Sequence, residues 1–422
     1  AFTYYCGFKV NSGEYKLMGL APYGEPRYIK KIKNNLIEIK EDGSFRLDMR
    51  FFKFHRGFRM TSRKFNKLFG CAPRRNDQEI TQFHMDLAAS IQAVTEEIVI
   101  KLAKSLRQET GLKNICLSGG VALNCVANGK LLKQNIFDNL WIQPASGDAG
   151  SALGAAFLAW HEYLGNKRQV NLNDSMKGTF LGCSFSNEEI ISYLKRINAS
   201  YDSYPDAKLF EIIADLLDKG KVVGWFNGAM EFGPRALGGR SIIGDPRNQQ
   251  MQSIMNLKIK YRESFRPFAP SILEEDLYNQ FEIKVKSPYM LLVAGIKKEL
   301  RKEMTKKQKN LFGIEKLNIP RSDIPAVTHV DYSARVQTVN PKTNSRYYEL
   351  ISAFKRKTGC SSIVNTSFNV RGEPIVCTPQ DAYRCFMRTE MDVLVLQNQI
   401  LFKENQPLTE KDEKWQQEFE LD

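Results

Sequence analysis

The sequence predicts an α/β (α+β) fold, and three observations carry that reading. Short apolar runs of strand length stand directly before glycine loops and segments of helical period. Two such strand, glycine loop and helix units follow one another between residues 111 and 165. A second set of apolar strands, separated by different loops, fills the chain from about 180 to 405. At 422 residues the chain is too long for one core, and two or three domains are expected. Its 42% hydrophobic and 26% charged residues are ordinary for a globular protein.

Taken in order, residues 1–70 are glycine-punctuated and rich in aromatics. "YKLMGLAPYGEP" (15–26) reads as a tight loop, and "EDGSFRLDMRFFKF" (41–54) as a hairpin turning at Asp42-Gly43. Leu87, Ile91, Val94, Ile98 and Leu102 recur at spacings of three and four, which predicts a helix over 85–109. "GLKNICLSGGVALN" (111–124) is a short buried strand that turns through Gly119-Gly120 into another helix. "NLWIQPASGDAGSALGAAFLAWHEYLG" (139–165) repeats the unit with a Gly/Asp loop and an Ala-rich helix. The polar, aperiodic stretch 165–178 marks a linker. Beyond it, "KVVGWF" (221–226), "CSSIVNTSFNV" (360–370) and "MDVLVLQNQILF" (391–402) are expected as strands, and residues 406–422 as a charged tail. The chain opens at Ala1, straight into what looks like mid-domain sequence, so a missing N-terminal part is expected.

A net charge of +14 points to anionic partners. Nucleic acid is disfavoured, because much of the excess lies in one run, "KKELRKEMTKKQKN" (297–310), that carries its own glutamates. The other arginines sit inside Gly/Pro motifs, where small ligands are cradled. Eight scattered cysteines without a C-x-x-C pair suit a reducing compartment, and nothing resembles a signal peptide or a membrane span. Of the four histidines, His84 and His161 fall on helices as structural residues, and His329 is the candidate for function. No serine-hydrolase or P-loop motif occurs.

The chemistry-bearing stretches all suggest anion binding. In "LSGGVALN" the glycines let backbone amides approach a ligand, the following helix offers its N-terminus, and Asn124 could read a ribose or base edge; a plain βα turn is the alternative. Asp148, beside Gly147, is either a ligand for a metal or phosphate-bound cation or the cap of the next helix. "EFGPRALGGRSIIGDPR" (231–247) holds Arg235, Arg240 and Arg247 on a backbone stiffened by glycine and proline, as a grip on phosphate oxygens requires. "KIKYRESFRPFAPS" (258–271) packs Lys258, Lys260, Arg262 and Arg266 so closely that either several face solvent or an anion neutralises some. "TSFNVRGEP" (366–374) adds Thr366, Ser367, Asn369 and Arg371, and "HVDYSARVQTV" (329–339) adds His329 and Arg335.

Six of these motifs, "KLMGLAPYGEP", "SGGVALN", "SGDAGSALGAA", "EFGPRALGGRSIIGDPR", "YRESFRPFAPS" and "NTSFNVRGEPIV", resemble in sequence and order the carbamoyltransferases of the nodulation-protein U and cephem/aminoglycoside type. The resemblance covers about residues 8–400. It implies part of an actin/hexokinase-like, Kae-one-like ATPase domain over 1–170 and a YrdC-like twisted-sheet domain over 178–405. It also implies a reaction: carbamoyl phosphate and ATP give carbamoyl-adenylate, and the carbamoyl group passes to a hydroxyl of a sugar-containing or secondary-metabolite acceptor. Carried over by motif, Arg235, Lys260, Arg266, Arg335 and Arg371 would handle carbamoyl phosphate and the ATP phosphates. Gly119, Gly120, Asn124, Gly147, Asp148, His329, Asn365, Thr366, Ser367 and Asn369 would bind nucleotide. Asp148 would ligate Fe2+ or a similar metal, with Mg2+ accompanying ATP. The implied partners are small-molecule substrates, with no membrane; a homodimer and a cytoplasmic location fit the family. The chain departs from the family pattern in lacking the upstream metal histidines, and at Tyr332, where glycine is usual, and Gly239, where asparagine is frequent. The alternative reading is a nucleotide- or RNA-binding module related to tRNA threonylcarbamoylation, or a catalytically idle fragment.

Overall fold

The structure is a computed structural model that describes residues 1–170 and 174–407. The charged tail expected over 406–422 lies outside the described residues from 408 onward. No helix among the described residues is long and apolar enough to cross a membrane.

The stretch expected as a tight loop at 15–26 is a helix, Glu14–Leu20, followed by one 3₁₀ turn, Ala21–Tyr23. Leu17 and Leu20 lie three residues apart and are buried on one face together with Lys16, and Pro22 stops the helix from continuing. Strands β1 (Ile37–Ile39) and β2 (Phe45–Leu47) form the expected hairpin, in register Ile37↔Leu47. The expected helix runs from Gln82 to Thr110, with Leu87, Ala88 and Val94 buried and its first turn closed by Thr81 and His84. Strands β3 (Asn114–Leu117) and β4 (Asn139–Ile142) pair in parallel, each leading through its loop to a helix, Cys125–Lys133 and Gly150–Leu158. The strand read as buried is in fact half-open. In β3 only Ile115 is buried, and the helix Gly150–Leu158 buries nothing, because a two-stranded layer has little surface to cover it with.

Among the described residues the second half is built on a nine-stranded mixed sheet in the order β5-β13-β12-β6-β7-β11-β8-β10-β9. Its members are β5 (Asp202–Ser203), β6 (Val223–Phe226), β7 (Arg240–Gly244), β8 (Ala269–Leu273), β9 (Leu292–Gly295), β10 (Ser333–Val339), β11 (Ser362–Ser367), β12 (Val393–Leu396) and β13 (Gln399–Phe402). Every residue of β6, β7, β8 and β12 is buried, β6 and β12 as apolar runs and β7 and β8 with Arg240, Ser241 and Ser271 among their apolar residues. The helices Asp206–Asp218 and Pro341–Thr358 pack on one another over this sheet. The run 391–402, expected as one strand, is a hairpin that turns where Gln397 takes a positive φ of 55°.

The two halves meet at close quarters. A Cβ on Gly129, in the helix Cys125–Lys133, would lie 2.2 Å from the carbonyl oxygen of Val293 on β9, so only glycine allows this approach. Beside it, Asn128 Nδ2 donates to the Leu291 carbonyl at 3.1 Å.

The stiffness of the stretch 231–247 comes from Glu231, which is 7% exposed. Its Oε1 accepts from the backbone amides of Leu237 (2.6 Å), Gly239 (2.8 Å) and Arg240 (3.3 Å) and so folds the loop around one carboxylate. Gly238, at a φ of 104°, lies flat on the Tyr347 ring, where a Cβ would come within 2.4 Å. Replacing Glu231 with alanine leaves three buried donors unsatisfied and is expected to lower stability by about 3 kcal/mol, whereas Glu231→Gln keeps an acceptor and loses less. Urea denaturation checks this; an unchanged midpoint for Glu231→Ala would show that the loop is held by other means.

Candidate anion-binding site

At one edge of the large sheet β7, β8 and β10 begin and β11 ends, since Asn365 pairs with Ala269 and Ser367 with Ser241. Four strand ends thus deliver their loops to one place. The first half closes this edge with the helix Glu14–Leu20 and the start of the helix Cys125–Lys133. Between them is a cavity of about 630 Å³. Arg235, Lys260, Arg266, Arg335 and Arg371 line it together with His329, Asn365, Thr366, Ser367 and Asn369, so ten residues singled out across more than a hundred positions share one wall. Arg262, Lys9, Tyr15, Met18 and Cys125 line it as well.

The basic side chains differ in how their charge is compensated. Lys260 is 2% exposed, and its ammonium donates to the carbonyls of Ser367 (2.8 Å) and Asn369 (2.7 Å) and to Asn369 Oδ1 (2.5 Å). Burial, then the neighbouring Arg262, push its pKa well down. Lys260 therefore straps the loop after β11 in place. Arg262 donates to Asn256 Oδ1 at 2.6 Å and stacks over Phe268 at 4.6 Å. Glu263 is a shared counter-ion, 3.4 Å from Lys16, 3.3 Å from Arg371 and 3.6 Å from Arg266. Burial by itself would raise the Glu263 carboxyl, but Lys16 and Arg371 outweigh it and hold it below its ordinary value.

Arg235 and Arg335 stand apart. Neither has a carboxylate partner among the described residues, and their Nε groups, like those of Arg240 and Arg321, are buried without a hydrogen-bond partner; Arg335 also meets the Cys125 thiol. Arg235 has one long contact, from Nη2 to the Leu123 carbonyl at 3.4 Å. Burial, then Arg335 beside it, push its pKa down to about 9; burial lowers Arg335 too. Guanidinium groups keep their protons in proteins. A depressed value therefore means that the folded site holds two like charges at a cost, which an anion between them would offset. His329, 8% exposed, has Nδ1 3.6 Å from Asp331 and its ring edge-on to Tyr23. Burial works to raise Asp331, but hydrogen bonds from His329 and Ser333 hold it well below the carboxylate range.

Not every candidate arrives here. Arg240 and Arg247, expected to grip phosphate beside Arg235, do not line the cavity. Arg240 is 0% exposed on β7, stacked 3.6 Å over Phe226, and it donates to the carbonyls of Cys183, Gly228 and Gly239. Arg247 is paired with Asp245 and Asp218, each at 2.7 Å. The register of β7 turns Arg240 into the core, and Arg247, beyond the end of that strand, is drawn to Asp245 and Asp218, whereas Arg235 precedes the strand and stays on the loop. Lys258 points away, to Glu390 at 3.2 Å, so the cluster 258–266 divides between solvent and cavity.

Gly119, Gly120, Asn124, Gly147 and Asp148 also lie outside the cavity lining. Asn124 caps the helix Cys125–Lys133, accepting from the Ala127 amide at 3.1 Å, and exchanges hydrogen bonds with Gln92. Gly119 and Gly120 are exposed with open space around them, and Asp148 is exposed in the turn before Gly150. Among the described residues no group of three or more His, Cys, Asp or Glu could hold a metal. Asp148 alone does not fit the ligand set that the resemblance implies. Tyr332 takes a φ of 63°, the left-handed conformation that favours glycine, but its hydroxyl turns to the Lys302 carbonyl and its side chain does not line the cavity.

Sequence reading missed Lys16, Glu263 and the wall of Tyr15, Met18 and Cys125. Glu263 was visible as the sole carboxylate inside a basic run. The others belong to a segment read as loop, or to a helix assigned to a different site.

Comparison with known proteins gives the following. A family model described as carbamoyltransferase N-terminus matches residues 1–157, and one described as carbamoyltransferase C-terminus matches residues 214–403. The chain is 62% identical to the uncharacterized protein sll1178 of Synechocystis over its whole length and 69% of the relative's. It is 38% identical to the nodulation protein NolNO of Sinorhizobium fredii, covering 92% of this chain and 53% of that one. Identity to the nodulation protein NolO of Bradyrhizobium diazoefficiens is 37%, covering 91% and 64%. The chain thus spans about half to two thirds of the length of these relatives.

Inorganic phosphate or pyrophosphate is expected to raise the melting temperature, at a hundredfold excess over Kd by the equivalent of about 2.7 kcal/mol. Arg335→Met should abolish that shift while leaving the ligand-free melting temperature unchanged or higher, because it removes a buried, uncompensated charge. A variant that melts early and still responds to phosphate would make Arg335 structural.

Proposed function

The chain belongs to the carbamoyltransferase family, and on that premise we propose that its cavity forms carbamoyl-adenylate from carbamoyl phosphate and ATP. With one water the balance is carbamoyl-adenylate, phosphate and pyrophosphate. Residues 178–405 would be the YrdC-like adenylating domain. Residues 1–170 would be the part of a Kae-one-like domain that hands the carbamoyl group to a hydroxyl of a sugar-containing or secondary-metabolite acceptor.

The observation that carries this reading is the pair of buried guanidiniums, Arg235 and Arg335, whose Nε groups lack partners beside a cavity large enough for a small polyanion. Joining two anionic reactants requires that their oxygens approach one another, and fixed cations lower that barrier. Arg235 and Arg335 would hold phosphoryl oxygens. Arg266 and Arg371, paired with Glu263 as they stand, would be shared with the incoming phosphates. Lys260 would act through the loop it straps, keeping Ser367 and Asn369 in place, and Arg262 would add charge to the same wall. The cavity lies where the two halves meet, so a reactive adenylate formed there faces Tyr15, Met18 and Cys125 of the first half. No step is assigned to a metal, since Asp148 has no companions for one among the described residues.

Pyrophosphate release from ATP, measured with and without carbamoyl phosphate, tests the proposal. Release that depends on carbamoyl phosphate is expected. Arg266→Ala should reduce it at least about a hundredfold, in the range for loss of a charged transition-state contact, with little change in melting temperature. No carbamoyl-phosphate-dependent release from a folded chain would refute the reading.

A further inference from the structure

Donors crowd the cavity, and a ligand that were only an anion would leave its buried acceptors unused. Asn365 lies near the end of β11 with 1% of its surface exposed. Its Nδ2 faces the Ala236 carbonyl at 3.0 Å, Ser271 Oγ at 3.0 Å and Gln337 Oε1 at 2.8 Å. A carbonyl can only accept. Gln337 Oε1 also accepts, because Gln337 Nε2 is committed to the Leu237 carbonyl at 2.9 Å. The amide of Asn365 therefore cannot be flipped. That leaves Asn365 Oδ1 as a buried acceptor without a partner among the described residues, on a residue that lines the cavity.

His329 repeats the pattern. Asp331 lies 3.6 Å from its Nδ1 and favours a ring proton on that side, and Nε2 is buried without a partner among the described residues, on a side chain that lines the same cavity. The carboxylates that line the cavity are engaged elsewhere: Asp331 accepts from Ser333 Oγ at 2.6 Å and Glu373 from the Val370 amide at 2.9 Å.

We propose that Asn365 Oδ1, with His329 Nε2 as a second acceptor, reads the amide hydrogens of the carbamoyl group and so selects carbamoyl phosphate over other acyl phosphates. The inference rests on the adenylation reading above. Acetyl phosphate has nearly the same shape but carries a methyl group where carbamoyl phosphate carries NH2. A methyl group cannot donate, so its binding would leave both acceptors desolvated and unpaired.

Calorimetric titration of the 422-residue chain at pH 8 with carbamoyl phosphate, acetyl phosphate and inorganic phosphate tests this. Carbamoyl phosphate is expected to bind about 10- to 100-fold more tightly than acetyl phosphate. Asn365→Leu should bring the two within about threefold, the carbamoyl phosphate affinity falling further than that of inorganic phosphate. His329→Phe should narrow the ratio by a smaller factor. Because Asn365 also ties β11 to β8 and β10, its variant could fail to fold; the wild-type ratio and His329→Phe then decide. Equal affinities for the two acyl phosphates in the wild type would overturn the inference while leaving the anion site standing. So would variants that weaken all three ligands alike. A wild-type chain that binds none of the three would remove the adenylation reading, and this inference with it.

Discussion

A charge taken out of water must meet a counter-charge or a full set of hydrogen bonds, and this protein withdraws many cations at once. Each is settled differently. Arg240 is surrounded by carbonyls and an aromatic face, and Lys260 by the carbonyls and side chains of the loop it ties down. Lys16, Arg266 and Arg371 share Glu263. Arg235 and Arg335 have only sparse contacts, one with the Leu123 carbonyl and one with the Cys125 thiol, and no carboxylate partner among the described residues. The first group explains why the Gly/Pro loops are rigid, since backbone carbonyls that serve a buried cation cannot wander. The last pair leaves buried positive charge beside the cavity, which a bound anion would offset.

The same constraint fixes the meeting of the halves. Lys16, on the helix Glu14–Leu20, is 1% exposed and reaches across to Glu263. Nearby the Tyr23 hydroxyl donates to the Phe265 carbonyl at 3.0 Å. With Gly129 against Val293, these contacts place an apolar wall from the first half over a basic wall from the second. A carbamoyltransferase needs that arrangement if an unstable intermediate is made beside one domain and consumed beside the other. The loops at 119–124 and 144–148 stay outside the cavity but adjoin it, through the contact of Arg235 with Leu123 and the packing of Gly233 on Pro144.

Much of this was legible in the sequence. Apolar periodicity located the helix 82–110, and the glycine loops located both strand-and-helix units of the first half, because both are properties of a few consecutive residues. The motifs at 231–247, 258–271 and 366–374 were singled out by composition and the fold brings residues of all three to one cavity, and the resemblance of six motifs named the family that the comparisons then showed. The helix Glu14–Leu20 was missed because Gly19, Pro22 and Gly24 resemble the residues of a turn, while Leu17 and Leu20 are buried in one cluster with Met85, Phe265 and Val330, far along the chain.

What the sequence by itself determined was the type of chemistry: stiff loops, planar cations and a family of reactions that needs them. Only the tertiary structure decided which cations reach the cavity. Arg235 and Arg240 stand five residues apart in one motif, yet one faces the cavity and the other the core, because strand pairing at β7 begins between them. Asn365 became a candidate reader of the substrate only because Ala236, Ser271 and Gln337 meet it across the sheet and fix its amide. Side-chain direction depends on the register between distant strands, and no local pattern of residues encodes it.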